Sequence, residues 1–106
     1  MDAFEMSELA AWREQTGELY HEFLRRHSMS LGLYVLDAGA EDPQSPHAED
    51  EVYYVLSGRA RITVADEERA VGPGSVIYVP AGVEHRFHSI GERVELLVVF
   101  APAEST

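Results

Sequence analysis

From residue 28 onward the chain is a succession of short apolar, β-branched and aromatic runs cut by turn residues, and this pattern narrows its fold more than any other feature. Candidate strands lie near 29–37, 44–48, 51–57, 59–65, 69–71, 76–79, 84–90 and 94–100. Between them stand Ala38-Gly39, Glu41-Asp42-Pro43, Ser57-Gly58, Asp66-Glu67-Glu68, Gly72-Pro73-Gly74, Ala81-Gly82 and Gly91-Glu92. Short strands with turn signals every 8–12 residues or so predict an all-β sandwich or barrel. A length of 106 residues fits one domain with one modest core.

The N-terminal segment reads differently. Residues 7–15, SELAAWREQ, predict a short helix with Ser7 as N-cap and with Leu9 and Trp12 on one apolar stripe, covering core or a subunit contact. Thr16-Gly17 breaks it, and 18–26, ELYHEFLRR, fits either more helix or a first strand; the clustered Tyr, Leu and Phe favour strand. The expected organisation is a helix/strand extension over 1–28, a β-barrel over 29–101 and a polar, frayed tail over 102–106.

Composition excludes several chemistries. Cysteine and lysine are both absent, which removes disulfides, thiolate chemistry, Schiff bases and a lysine general base. A formal net charge of -11 argues against nucleic acid and anionic membranes as partners and gives a surface that attracts cations. The first residues lack a basic stretch followed by an apolar one, and no apolar run approaches membrane-spanning length, so the expected location is the cytoplasm.

The chemistry concentrates in two stretches. In SPHAEDEVYYV an extended backbone would point Ser45, His47, Glu49, Glu51, Tyr53 and Val55 the same way. A turn within 48–50 would divert Glu49 while leaving His47 near Glu51. Tyr53 and Val55 draw Glu51 toward apolar surroundings, where a carboxylate must be protonated, paired or bound to a cation. Imidazole with carboxylate suits zinc, iron, manganese or nickel. A solvated strand edge is the plain alternative for this stretch taken alone. The second stretch, GSVIYVPAGVEHRFHSI, has a strand over 76–79, a Pro80-Ala81-Gly82 turn and a second strand over 84–90, with His85 just after the turn and Phe87 on the same face. His88 falls on the opposite face; His21 and His27 lie outside both stretches and read as structural or exposed. Arg61 and Arg86 read as surface partners for carboxylates.

Together these stretches resemble the paired motifs of the cupin superfamily, in its small single-domain form. Gly74, Pro80, Gly82 and His85 match each fixed position of the second motif, although Ser89 stands where an asparagine is usual. Gly39, Glu51 and Gly58 match the first motif, which carries two histidines ahead of its glutamate where this chain has one. His47 takes the second histidine's position and Ser45 the first's; alternatively Pro46-His47 opens the pair and Glu49 replaces the second. The resemblance spans about 29–100 and implies a small antiparallel jelly-roll barrel with an inward-facing site. A barrel also suits so short a chain because it removes exposed sheet edges.

The resemblance further implies one divalent transition metal (Fe, Mn, Zn or Ni) held by His47, Glu51 and His85, with Glu49 or Ser45 as a fourth ligand. Three protein ligands leave positions open for substrate. Ser45, Tyr34, Tyr53 and Phe87 are candidate pocket residues, and Glu49 and Tyr53 candidate proton carriers. The expected function is a metal-dependent enzyme, dioxygenase-like or an isomerase or lyase, acting on a small organic molecule. A non-catalytic ligand-binding or sensing module is the alternative. A homodimer is expected from likeness to small cupins.

Overall fold

The computed structural model describes residues 1–43 and 46–105; Gln44, Ser45 and Thr106 lie outside the described residues. One helix, α1 (Met6–Thr16), precedes six strands: β1 (Tyr20–Arg26), β2 (Met29–Leu36), β3 (Asp50–Val64), β4 (Glu67–Val71), β5 (Val76–Val79) and β6 (His85–Ala101). All pairings are antiparallel, in the order β1-β2-β6-β3-β4, with β5 on β3. The fold is the expected all-β jelly roll with a short N-terminal helix, although among the described residues the hydrogen-bonded strand path does not close into a ring.

The β3–β6 ladder carries the architecture. Val64 pairs with His85 at one end and Glu51 with Phe100 near the other. A straight strand would hold Glu51 and Val64 roughly 40 Å apart. Yet the side chains of Glu51 and His85 meet at 3.1 Å. The ladder therefore curls until its two halves face each other, and the core fills the gap between them.

Register shifts between Val55 and Arg61 make the curl possible. Before them the buried residues of β3 are Glu51, Tyr53 and Val55; after them they are Ala60 and Ile62. β6 does the same: His85 and Phe87 are buried, then Ile90, Val94, Leu96, Val98 and Phe100. A one-residue bulge flips which positions face inward and bends the strand. This corrects the expectation of separate strands at 51–57 and 59–65, and at 84–90 and 94–100: each pair is one continuous strand, and Ser57-Gly58 and Gly91-Glu92 lie inside strands. Gly58 is required where it stands. Its φ is 88°, and a Cβ there would lie 2.0 Å from the carbonyl oxygen of Arg93.

The N-terminal segment follows its expectation in outline, with two corrections. The N-cap residue is Glu5, without a side-chain capping bond, rather than Ser7; Gly17, at φ 71°, ends the helix by donating to the carbonyl of Arg13. Leu9 is buried as expected, but its buried companion is Arg13, whose guanidinium donates to the Glu18 carbonyl at 2.7 Å. Trp12 is about half exposed and meets the edge of His21 at 4.4 Å between ring centroids. The strand reading of 18–26 is borne out by β1. The described part of the expected strand at 44–48 is irregular chain leading into a bend. No helix among the described residues is long and apolar enough to cross a membrane.

Candidate metal centre

Three elements deliver the side chains of the site. Glu51 opens β3, between Val79 of β5 and Phe100 of β6. His85 opens β6, directly after the Pro80-Ala81-Gly82 turn. His47 stands on the irregular chain before β3. The two motif loops are tied to each other: the N–H of Gly82 donates to the His47 carbonyl at 2.6 Å, and the N–H of Ala81 donates to the Asp50 carboxylate at 2.9 Å. These bonds bring the single histidine of the first motif to the histidine of the second. Asp42 fastens the loop further, accepting from the Tyr34 hydroxyl at 2.5 Å and from the Phe87 N–H at 2.9 Å.

The resulting cluster is a buried ligand set. One donor atom each of His47, Glu51 and His85 lies within 4.8 Å of the others. Glu51 is 1 % exposed, and both its carboxylate oxygens lack a hydrogen-bond partner. His85 Nδ1 lies 2.9 Å from the Val83 carbonyl oxygen, which can only accept, so Nδ1 carries a proton, and in the neutral ring Nε2 is a lone pair. That lone pair faces Glu51 Oε1 at 3.1 Å. Two acceptors at this separation call for something positive between them, either a proton or a metal ion. The proton option shows in the titration of His85: burial alone would lower its pKa, but the Glu51 carboxylate, the Val83 carbonyl and Asp42 outweigh burial and raise it. His47 Nε2 faces the same Glu51 oxygen at 3.9 Å.

A cavity of about 200 Å³ opens onto the cluster, lined by Tyr20, Tyr34, Pro43, His47, Glu51, Val98, Phe100 and Glu104. Tyr34 is the one expected pocket residue found in this lining. Tyr53 and Phe87 lie deeper: both are fully buried, 4.9 Å apart between ring centroids, and the Tyr53 ring centroid is 6.0 Å from that of His85. They support the histidine from behind and do not line the cavity. Ser45, the other candidate, is outside the described residues. Glu49 is buried but not a member of the ligand cluster; its Oε2 accepts from the Ser105 N–H at 3.2 Å. The bend before β3 turns it away, the exception the extended-backbone reading allowed.

Two polar lining residues escaped sequence reasoning, as did the apolar Pro43, Val98 and Phe100. Tyr20 belongs to β1, opposite Tyr34, and its ring lies across Gly32, where a Cβ would sit 2.3 Å from the ring. Its hydroxyl is buried without a hydrogen-bond partner. Burial, followed by the charges of Glu104, Glu22 and Glu51, raises its pKa; burial, the hydrogen bond to Asp42 and nearby carboxylates do the same for Tyr34. Both phenols therefore keep their protons. Glu104 belongs to the tail expected to fray over 102–106, and there the structure corrects the expectation at Glu104 and Ser105, while Thr106 lies outside the described residues. The Glu104 N–H donates to Ser30 Oγ at 2.9 Å, its carbonyl accepts from Arg25 at 2.6 Å, and its Oε2 lies 3.4 Å from His47 Nδ1. Burial raises its pKa, the His47 ring opposes this, and Glu51, Glu22 and Glu49 add to the rise. No periodicity marks residue 104. The alternation of β1 and β2 could have paired Tyr20 with Tyr34.

Comparison with known proteins agrees with this geometry. Residues 32–100 match the family model described as the Cupin domain. The chain belongs to the cupin family. An uncharacterized protein of Streptomyces coelicolor is 57% identical over 105 residues, covering 99% of this cupin and 100% of that protein. Acireductone dioxygenase of Danio rerio is 32% identical over 76% of this cupin and 47% of the enzyme. Oxalate decarboxylase OxdC of Bacillus subtilis is 37% identical over 51% of this cupin but 15% of the enzyme. The cupin thus spans less than half the length of either enzyme. Among solved structures, TT1209 from Thermus thermophilus superposes with a TM-score of 0.78 at 28% identity, covering 97% of this cupin and 99% of that chain. The family match begins at residue 32 and ends at 100, so the pocket residues Tyr20 and Glu104 lie outside the matched span.

Proposed function

We propose that this cupin binds one divalent transition metal through His47, Glu51 and His85 and acts as a metal-dependent enzyme on a small organic molecule held in the adjoining cavity. The observation that carries this reading is the unpartnered, buried acceptor set: two Glu51 oxygens and His85 Nε2, turned toward one another at the floor of a pocket. A neutral imidazole whose other nitrogen donates to a carbonyl is the usual form of a metal-ligating histidine. Such a metal would supply Lewis acidity or, as iron, a redox centre. The cavity volume of about 200 Å³ restricts the ligand to a small molecule.

The chain's own groups define what else the pocket can do. The protonated hydroxyls of Tyr20 and Tyr34 stand in the lining as donors, and the Glu104 carboxylate as an acceptor beside His47. Proton transfer falls to these pocket groups in place of Glu49 and Tyr53. Val98 and Phe100 give the wall an apolar side that shields a bound ligand from water. Relatives such as acireductone dioxygenase support enzymatic chemistry in general, and oxidation is one of the two classes to assay.

The test is metal content by mass spectrometry of untagged protein beside His85→Ala and Glu51→Ala. The expected result is close to one equivalent in the parent and none in either variant. A parent that stays metal-free after reconstitution overturns the reading. A metal-loaded parent without turnover across oxygen-consumption, lyase and isomerase assays would favour a binding or sensing module instead. As to partners, we infer a homodimer: Tyr54, Val76 and Tyr78 stand exposed together on one face of β3 and β5, and an apolar patch of this kind suits a second copy. Sedimentation equilibrium should give twice the chain mass, falling to the monomer in Tyr54→Arg.

A further inference from the structure

If a divalent metal sits on His47, Glu51 and His85, the ion keeps one net positive charge after the Glu51 carboxylate is counted, because both imidazoles are neutral. Glu104 brings a second carboxylate into the same lining, 3.4 Å from His47 Nδ1. With Glu104 ionised, the loaded pocket then has no net charge. Glu49, buried just behind and bonded to the same tail, pushes the balance toward negative. The described lining holds no arginine, and the chain has no lysine. Arg25, which touches the tail, is taken up by the Glu22 carboxylate at 2.9 Å and by the main-chain oxygen of Glu104. Gln44 and Ser45, outside the described residues, are uncharged residue types.

We propose that Glu104 is a specificity-determining residue that excludes anions, so that the pocket takes a neutral or cationic small molecule and discriminates against carboxylates and phosphates. The tail is fixed to do this. Its backbone is held at residue 104 by the hydroxyl of Ser30, which is fully buried, and at residue 105 by Glu49, so the Glu104 side chain is presented to the cavity from an anchored main chain. The pocket's free hydrogen-bonding groups fit the same class. Tyr20 offers a buried hydroxyl without a partner, and Glu104 accepts from a ligand hydroxyl or ammonium group. Both residues lie outside the span matched by the family model, residues 32–100.

The proposal rests on the metal reading, and the experiment separates the two. The protein is loaded with cobalt(II), and its visible absorption is titrated at fixed pH and salt with azide, an anion, and with imidazole, a neutral ligand of similar size. The same titrations are run on Glu104→Gln and on Glu68→Gln, which removes an equal charge from a surface position on the far strand β4. Glu104→Gln should tighten azide about tenfold, as expected for one nearby carboxylate in a partly screened site. It should leave imidazole within about twofold, and Glu68→Gln should change neither. Equal shifts for azide and imidazole would overturn the proposal, since Glu104 would then act by shape or by positioning His47. So would an unchanged azide affinity, an equal gain in Glu68→Gln, or a Glu104→Gln protein that no longer takes up cobalt. Failure of the parent itself to take up cobalt is a different result: it removes the metal reading and this inference with it.

Discussion

Replacing Glu51 with glutamine should move stability in opposite directions with and without metal. The side chain is 1 % exposed, its oxygens have no hydrogen-bond partner, and it faces the bare Nε2 of His85 at 3.1 Å. In the presence of a chelator the contact is relieved only by a proton on His85, which is why the pKa of that ring is raised above its ordinary 6.5. The sign follows: a histidine with a raised folded-state pKa contributes stability that is complete below its unfolded value and is lost as pH rises through the folded value. Above that folded value the metal-free parent therefore keeps a buried, uncompensated carboxylate. Glutamine fills the same space without the charge, and its amide can donate to Nε2. The gain should be about 1–3 kcal/mol, the cost of leaving such a group unmatched, or roughly 5–15 °C in Tm for a domain of this size. With metal at a hundredfold excess over Kd the parent instead gains about 2.7 kcal/mol, which the variant forgoes. Thermal melts in chelator and in excess zinc or manganese, at pH 6 and pH 9, should show the two proteins changing rank. A variant less stable than the parent in chelator at pH 9 would refute the reasoning, because Glu51 would then be a satisfied structural acceptor and not a ligand in waiting.

Other outcomes follow from the same contacts. Gly58→Ala combines a positive φ of 88° with a Cβ 2.0 Å from the Arg93 carbonyl oxygen, and should destabilise by about 2–4 kcal/mol in urea melts. Asp42→Ala removes the acceptor shared by the Tyr34 hydroxyl and the Phe87 N–H; we expect a loss of about 2–4 kcal/mol and faster hydrogen exchange at Phe87. Gly32→Ala should push the Tyr20 ring off its seat, costing about 1–3 kcal/mol and altering ligand binding in the cavity while metal content stays at the parent's level.

Much of the fold could be read from the sequence because its strands alternate and its turns are marked by Gly and Pro. The bulges were not legible for a physical reason. A one-residue shift of the inward positions, as between Val55 and Ala60, breaks the alternation just as a turn does, and only pairing with β6 across the break shows that the strand continues. In the site, Glu51 and His85 could be found because their motifs fix a carboxylate and an imidazole at the entrances of apolar strands. His47 depended on loop closure, which the sequence hints at only through Gly82. Tyr53 and Phe87 share the inward face with the ligands, and periodicity cannot tell a pocket wall from the layer beneath it. Glu104 carried no signal at all: a short tail gives no period, and the bond from its N–H to Ser30 spans most of the chain.

The curled β3–β6 ladder has a consequence in time. Glu51 and His85 meet only after the ladder has paired along its length and doubled back, so the site joins residues far apart in sequence through contacts that are themselves long-range. Non-local contacts of this kind are acquired late and make folding slow. An interaction absent from the transition state lengthens the life of the folded chain without hastening its formation. A bound metal should therefore act on this cupin as a latch, slowing the rate at which it opens and leaving the rate at which it folds unchanged.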